Sequence, residues 1–228
     1  ISAENYISEY GSQQIDITKA IPVISEDPSS TALTYGQTLA ESVLEGGSAS
    51  TRGTFSWTSP ETVPSVSDSE TTEYSITFTP EDEDNYESAS SSVTVVVSRA
   101  QTVYSTEEYQ GPYDRDPHSS SVTVTTPASG ALVHYGTVPD IYDTETPPSF
   151  INAGEYTVYF RITSPNYTEE TGMLNVTISK AATEIIELPT ASALTYGGTL
   201  NDSFLSGGTG SVAGGFAWEN GSIVPSVS

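Results

Sequence analysis

The chain has 228 residues, no cysteine, and 30 acidic against 6 basic side chains, a formal charge of −24. Without cysteine, disulfides, thiolate nucleophiles and cysteine-bound zinc are excluded, and the acidic balance argues against nucleic acid and anionic membrane surfaces, both of which are met by Lys and Arg. No apolar run approaches the ~20 residues of a membrane helix, so no direct membrane contact is expected; Ile1 opens no signal-peptide pattern, and any leader or anchor is expected outside this stretch.

Ser, Thr, Tyr, Val and Gly dominate, with a single Met. β-branched and aromatic residues suit pleated strands, so the fold class is all-β. Taken in chain order, alternation predicts strands over 21–24, 33–39 and 54–58, with Gly46-Gly47 as a turn between them. Next comes a strand with Tyr74, Ile76 and Phe78 on one face, then one with Val93, Val95 and Val97 on one face. The two are read as a hairpin. The pattern then repeats: strands over 102–104, 121–125 and 132–135, followed by a hairpin of Tyr156, Val158 and Phe160 with Leu174, Val176 and Ile178. Val133 and Tyr135 are read as taking the places of Phe55 and Trp57.

Two periods organise these strands. Residues 32–57 return at 193–218 without insertion or deletion, and the same offset of 161 aligns 1–67 with 162–228 at roughly 30 identities. Within it, Lys19-Ala20, Arg99-Ala100 and Lys180-Ala181 recur about 80 residues apart. Each stands 14 residues after the Asn of an Asn-Tyr pair: Asn5-Tyr6, Asn85-Tyr86 and Asn166-Tyr167. The division that follows is a tail, 1–18, holding the C-terminal strands of a preceding module; a first module, 19–99; a second of another type, 100–180; and the front of a second copy of the first type, 181–228. Six or seven short strands in such a block predict tandem immunoglobulin-like β-sandwich modules end to end, with a β-grasp-like strand order as the alternative. The run Asn152-Ala153-Gly154-Glu155-Tyr156 reads as the tyrosine corner of such a sandwich, and Thr72-Glu73-Tyr74 as its weaker counterpart. The tail and the incomplete third block are expected to expose strand edges, and strand exchange between them in two chains is an expected association.

The stretches ALTYGQTL, GG, GTFSW and TEYSITFTPEDEDNY resemble a repeat of large surface proteins of Gram-positive bacteria. The second block resembles its companion; both are grouped as MBG or YDG-type repeats of adhesin-like proteins. There the usual motif is Tyr-Asp-Gly-Lys-Pro-His; here it stands as Tyr113-Asp114-Arg115-Asp116-Pro117-His118, with Arg115 and Asp116 in place of Gly and Lys. That departure is expected to alter the turn and its charge. The resemblance implies a secreted or wall-anchored stalk or adhesin, and so an extracellular, bacterial cell-surface location.

Candidate sites are few. Phe55 and Trp57 share a face, as do Phe216 and Trp218; a core position is expected, against an exposed aromatic platform for a sugar ring. The densest acidic run, Glu81, Asp82, Glu83 and Asp84, is the weak calcium candidate. Carboxylate oxygens are the right ligands, but the EF-hand spacing is absent and the second block has Ser164-Pro165 in this place, so a solvated loop is expected and no cofactor is required. His118 and His134 are the two histidines and lack a nucleophile motif; His134 is expected on an outer face. Lys19 and Lys180 occupy a slot that Arg99 fills at the middle junction, which speaks against isopeptide chemistry and for boundary residues in water. Asn166 and Asn175 head glycosylation sequons that carry little meaning in a bacterial protein.

No constellation supports an enzyme. The reading is a non-catalytic repeat region acting as a structural stalk or spacer, whose partners are its own neighbouring modules. The alternative is an adhesive module that binds host mucin glycans or a host protein through exposed Tyr.

Overall fold

The computed structural model describes every residue except Ile1, Ala3 and Ser228. It is all-β, with three short 3-10 turns and no α-helix among the described residues. The chain divides into two compact units. The first comprises Ile1–Glu107, Ser121–Pro147 and Val158–Leu174; the second comprises Glu108–Ser120, Pro148–Thr157 and Asn175–Ser228.

The first unit begins with β1 (Ile24–Glu26), β2 (Ser29–Ser30), β3 (Leu33–Thr34), β4 (Leu44–Glu45), β5 (Ser48–Ala49), β6 (Gly53–Trp57), β7 (Glu73–Pro80), β8 (Ala89–Thr94) and β9 (Val97–Ser98). β6, β7 and β8 form an antiparallel sheet in which Trp57 stands opposite Ile76, Phe55 opposite Phe78, and Tyr74 opposite Val93. β1 pairs with β5 and β2 with β4, both antiparallel, while β3 runs parallel to β9. The parallel pair brings residues 33–34 against 97–98, a long-range contact that strand alternation alone does not reveal.

β10 (Val103–Glu107), β11 (Tyr109–Pro112), β12 (Ser121–Thr126), β13 (Leu132–Gly136), β14 (Gly154–Thr163) and β15 (Glu170–Ser179) follow. In the first unit β10 pairs with β12 and β13 with β14, both antiparallel. In the second unit β11 runs parallel to β15. β14 and β15 are neighbours in one sheet and run through both units. The second unit ends with β16 (Ile185–Glu187), β17 (Thr190–Ala191), β18 (Leu205–Ser206) and β19 (Thr209–Gly210); β16 pairs with β19 and β17 with β18, antiparallel.

Period-2 alternation puts every second side chain of β7 and β8 on one face, and that face is the core. Leu33, Leu39, Trp57, Ile76, Val93, Val95 and Val97 form one buried cluster, with Tyr35, Leu44, Phe55, Val66 and Tyr74 packed against it. Phe55 and Phe78 meet at 5.0 Å between ring centroids. Trp57 donates its indole N–H to the Ser42 carbonyl at 2.8 Å, so its polar edge is satisfied although the ring is buried. Val158, Phe160, Ile162, Leu174, Val176 and Ile178 are likewise buried on β14 and β15. Each such side chain contributes about 1.5–3 kcal/mol on leaving water.

Several expectations change. The strand expected over 33–39 stops at Thr34. Gly36 turns the chain at φ +99°, and Leu39–Glu41 is a 3-10 turn whose Thr38 and Glu41 form a reciprocal capping box. Thr-Leu-Ala-Glu is the sequence signature of that box. The strand expected over 21–24 begins at Ile24, and that over 102–104 extends to Glu107. Tyr135 stands opposite Phe160, as Phe55 does opposite Phe78, with Val133 opposite Ile162. Tyr135 therefore takes the place of Phe55, two residues out of the expected alignment. Residues 4–18 carry no strand, and Tyr6, Ile7, Tyr10, Ile15 and Ile17 are exposed. A lone strand is not stable without a ladder, and none of the described residues supplies one.

The copy at 181–228 serves as an internal comparison. Leu194, Leu200, Phe216 and Trp218 correspond to Leu33, Leu39, Phe55 and Trp57, but all four are half-buried. No described strand corresponding to β7 and β8 covers them. Trp57→Ala is therefore expected to destabilise the fold by about 3–5 kcal/mol, and Trp218→Ala by well under half as much. Urea unfolding followed by circular dichroism measures both.

Candidate functional site

The recurring Lys/Arg-Ala and Asn-Tyr pairs meet in space. Ala20 donates to the Asn85 carbonyl at 2.9 Å and accepts from Glu87 at 2.8 Å. Ala100 repeats this, donating to the Asn166 carbonyl at 3.0 Å and accepting from Thr168 at 2.8 Å. Each Ala thus makes a single parallel bridge, to Tyr86 and to Tyr167 respectively. The basic residue beside each Ala ties down the same loop. Lys19 donates its ammonium to the Glu83 carbonyl at 2.6 Å; Arg99 donates to the carbonyls of Ser164 and Tyr167 at 3.2 and 3.0 Å. Both side chains remain exposed, as expected of boundary residues.

The two Asn side chains diverge. Asn85 is exposed and folds back on its own loop, donating from Nδ2 to both Asp82 carboxylate oxygens at 3.1 and 2.9 Å. Asn166 is half-buried and reaches across to residue 66, where its Oδ1 accepts the Val66 N–H at 3.0 Å. Tyr167 lies edge-on to Tyr35 at 5.5 Å. Val66 opens the 3-10 turn Val66–Asp68. First-turn N–H groups lack a partner within the turn, so Asn166 supplies one from the other half of the repeat. Ser65 donates its N–H and its hydroxyl to Asp68 Oδ2 at 3.0 and 2.8 Å. These bonds hold the Asp68 carboxyl below its ordinary 3.8, the Ser65 N–H being the larger cause. Burial first, and then the Asp68 charge, push the Tyr74 hydroxyl up.

A second cluster gathers at residues 109–118, in the second unit. Asp114 Oδ1 accepts the Asp116 N–H at 2.9 Å and lies 2.9 Å from His118 Nε2. His118 Nε2 is also 3.1 Å from the Tyr109 hydroxyl, and the two rings stack at 3.8 Å and 11°. The Asp114 carboxyl is held low, by the Asp116 N–H first and then by His118. Arg115 has φ +79°. This is the left-handed region that glycine enters without penalty, so the turn keeps the shape that suits Gly while carrying Arg. The Tyr109 N–H is held in turn by Ser120 Oγ at 3.1 Å, and these hydrogen bonds tie the loop together.

The other candidates are placed as follows. Trp57 is buried and Phe55 packs on the core, so neither offers a sugar platform. Glu81, Asp82, Glu83 and Asp84 are exposed; Asp82 is engaged by Asn85, and among the described residues no three His, Cys, Asp or Glu side chains gather to hold a metal. His134 is half-buried, 3.8 Å from Glu145. The Tyr156 hydroxyl donates to the Asn152 carbonyl at 3.0 Å, the bond expected of a tyrosine corner, and its ring stacks on Phe150 at 4.0 Å. Asn175 is exposed and hydrogen-bonds Glu108. Lys180 lines an open, mainly apolar groove of about 310 Å³ with Tyr113, Asn152, Ala181 and Val212. A single aromatic ring lines it.

No protein-family model matches the chain, and no curated protein matches it. Among solved structures it is similar to one described as "Crystal structure of the Protocadherin GammaB4 extracellular domain", at 13% identity and a TM-score of 0.32, over 77% of this chain and 36% of that one. The chain thus spans about a third of that protein's length.

Two tests follow from the clusters. Arg115→Gly is expected to leave stability within about 1 kcal/mol of the wild type, whereas Arg115→Val lowers it by more, because a β-branched residue is the worst fit to φ above zero; thermal melts compare them. The Asp68 bonds stabilise the fold when the carboxyl is ionised. With a folded pKa below 3.8, their contribution is full above pH 3.8 and fades as pH falls through the lowered value. The melting-point gap between wild type and Asp68→Asn should therefore be widest near neutrality and close in acid.

Proposed function

We propose that this chain is a non-catalytic run of immunoglobulin-like β-sandwich modules, 19–99, 100–180 and the front of another from 181, joined end to end in a secreted or wall-anchored bacterial surface protein, where it acts as a stalk. The observation that carries this reading is the junction at Arg99-Ala100. β9 ends at Ser98 and β10 begins at Val103, and the residues between them are pinned. Arg99 bonds two carbonyls, Ala100 makes two backbone bonds, and the Thr102 N–H and hydroxyl both bond Thr168. Short connections that are hydrogen-bonded along their length limit hinge motion between modules, which a spacer requires. The Asn166 bond to Val66 and the Tyr35–Tyr167 contact add a clasp beside that junction. A charge of −24 keeps such a run soluble and apart from its neighbours.

The chain has no cysteine, so paired spin labels can be placed at Ser56→Cys and Thr123→Cys, both exposed strand positions. A stalk requires a single narrow distance distribution, broadened at least about twofold by Asn166→Ala combined with Tyr167→Ala, since short linkers alone do not fix an angle. A broad distribution in the parent chain would dismiss the stalk. Binding to mucin or to a glycan array that is lost on changing one exposed Tyr would favour the adhesive reading instead.

A further inference from the structure

Two Asp-Pro bonds occur in the chain, Asp27-Pro28 and Asp116-Pro117. Such a bond carries its own nucleophile, because the side-chain carboxyl can close a five-membered ring on the carbonyl carbon of the same residue. Intramolecular attack of this kind reaches an effective concentration of about 10⁵–10⁸ M when the geometry is right. What separates the two sites is whether the carboxyl is free, the proline nitrogen is open to a proton, and the backbone is held. At Asp27 the nitrogen is covered. Pro28 is buried between β1 and β2, and a Cβ placed on Gly47 would lie 3.0 Å from its nitrogen. At Asp116 all three conditions are met. Asp116 and Pro117 are both exposed, and among the described residues nothing hydrogen-bonds the Asp116 carboxylate. Its N–H is fixed by Asp114 Oδ1 at 2.9 Å, and the same oxygen holds His118 Nε2 at 2.9 Å. His118 exchanges two backbone bonds with Phe150, each at 2.9 Å. Arg115, one residue upstream, sits at φ +79°, a conformation that residues other than glycine rarely adopt. The bond is therefore a short exposed span between two anchors, with strain beside it that breaking the bond releases.

We propose that Asp116 cleaves the chain at its own bond to Pro117. One oxygen of the protonated Asp116 carboxyl adds to the Asp116 carbonyl carbon. The C–N bond to Pro117 breaks, the carboxyl proton passes to the Pro117 nitrogen, and a cyclic anhydride is left at residue 116. Water opens the anhydride to two carboxylic acids, so the net change is the addition of one water in a single event without turnover. The acid form reacts, so cleavage quickens as pH falls. The titratable and charged groups held in this loop are Tyr109, Tyr113, Asp114, Arg115 and His118; β15, packed against β11, is followed by Lys180, and Phe150 brings none. The Asp114 carboxyl is held below its ordinary 3.8, by the Asp116 N–H first, so this clamp stays ionised in mild acid. Ladders bridge the cut: β10 with β12, β11 with β15, and His118 with Phe150. The severed module therefore stays joined by hydrogen bonds alone and parts on unfolding. The inference needs only this loop and is independent of the stalk reading, which the spin-label distances decide.

The test uses the full chain, held at about pH 5, just above the ordinary carboxylate range, with circular dichroism confirming that it stays folded. Samples are then denatured and weighed by mass spectrometry. Fragments 1–116 and 117–228 are expected, their masses summing to that of the chain plus one water, while the Asp27-Pro28 bond stays intact. Asp116→Glu moves the carboxyl out by one methylene and should slow cleavage about a hundredfold, the scale of a misplacement of about 1 Å. Residue 116 is exposed and lies in no strand, so that change does not threaten folding. In urea at the same pH the preference for residue 116 over residue 27 should disappear. The absence of fragments overturns the proposal, as does equal cleavage at both Asp-Pro bonds in the folded chain or undiminished cleavage of Asp116→Glu. So does a preference for residue 116 that persists in urea, which would assign the cut to local sequence rather than to the fold.

Discussion

The fold depends on one pairing: β7 lies beside β6 in the sheet, which sets Ile76 and Phe78 next to Trp57 and Phe55. Ile76 is 0% exposed and lies directly across from Trp57. β8 then flanks β7, and β9 returns parallel to β3. The same front-half sequence at 181–228 shows what the pairing does. Its short ladders, its 3-10 turn and the Trp218 bond to the Ser203 carbonyl all form. Its Leu and Trp side chains nevertheless stay half in water. Local hydrogen bonding shapes this segment, but apolar burial comes from a strand more than twenty residues further along. Tight turns and caps are cheap to form locally, whereas the core needs long-range partners.

Polar groups at turn ends are satisfied from a distance in the same way. The Asn-Tyr loops at 85 and 166 look alike in sequence, yet their amides do opposite things. Asp82 captures Asn85 within its own loop. The corresponding place, three residues before Asn166, is Thr163, which offers no carboxylate, and the Asn166 amide instead caps Val66. A single acidic residue thus decides whether the loop closes on itself or reaches outward. Two of the six basic residues fit this pattern: Lys19 and Arg99 donate to backbone carbonyls rather than to carboxylates.

Much of the strand framework was legible from alternation. Tyr74, Ile76 and Phe78 fall on the face expected, because one side of the strand must leave water; Val93, Val95 and Val97 are buried as expected, but the single strand expected there breaks after Thr94, and Val97 joins β3 instead. The tyrosine corner at Tyr156 was also legible, through the Ala-Gly-Glu-Tyr run. The 3-10 turn at Leu39–Glu41 was not, although Thr38 and Glu41 signalled it, because Leu33, Tyr35 and Leu39 also satisfy alternation. The parallel pairs β3–β9 and β11–β15 leave no local trace. Nor does the Asn166–Val66 bond, whose ends are 100 residues apart. The repeat identified which residues recur, but two identical Asn-Tyr pairs gave no sign that only one would reach its neighbour.

That asymmetry bears on how such a sequence can grow. The clasp draws Tyr35 and Val66 from one half of the 161-residue unit and Asn166 and Tyr167 from the other. Unequal crossing-over that adds or deletes a whole unit leaves every clasp matched. A crossover shifted by half a unit would set an Asp82-bound Asn against a Val66-type turn and orphan that N–H.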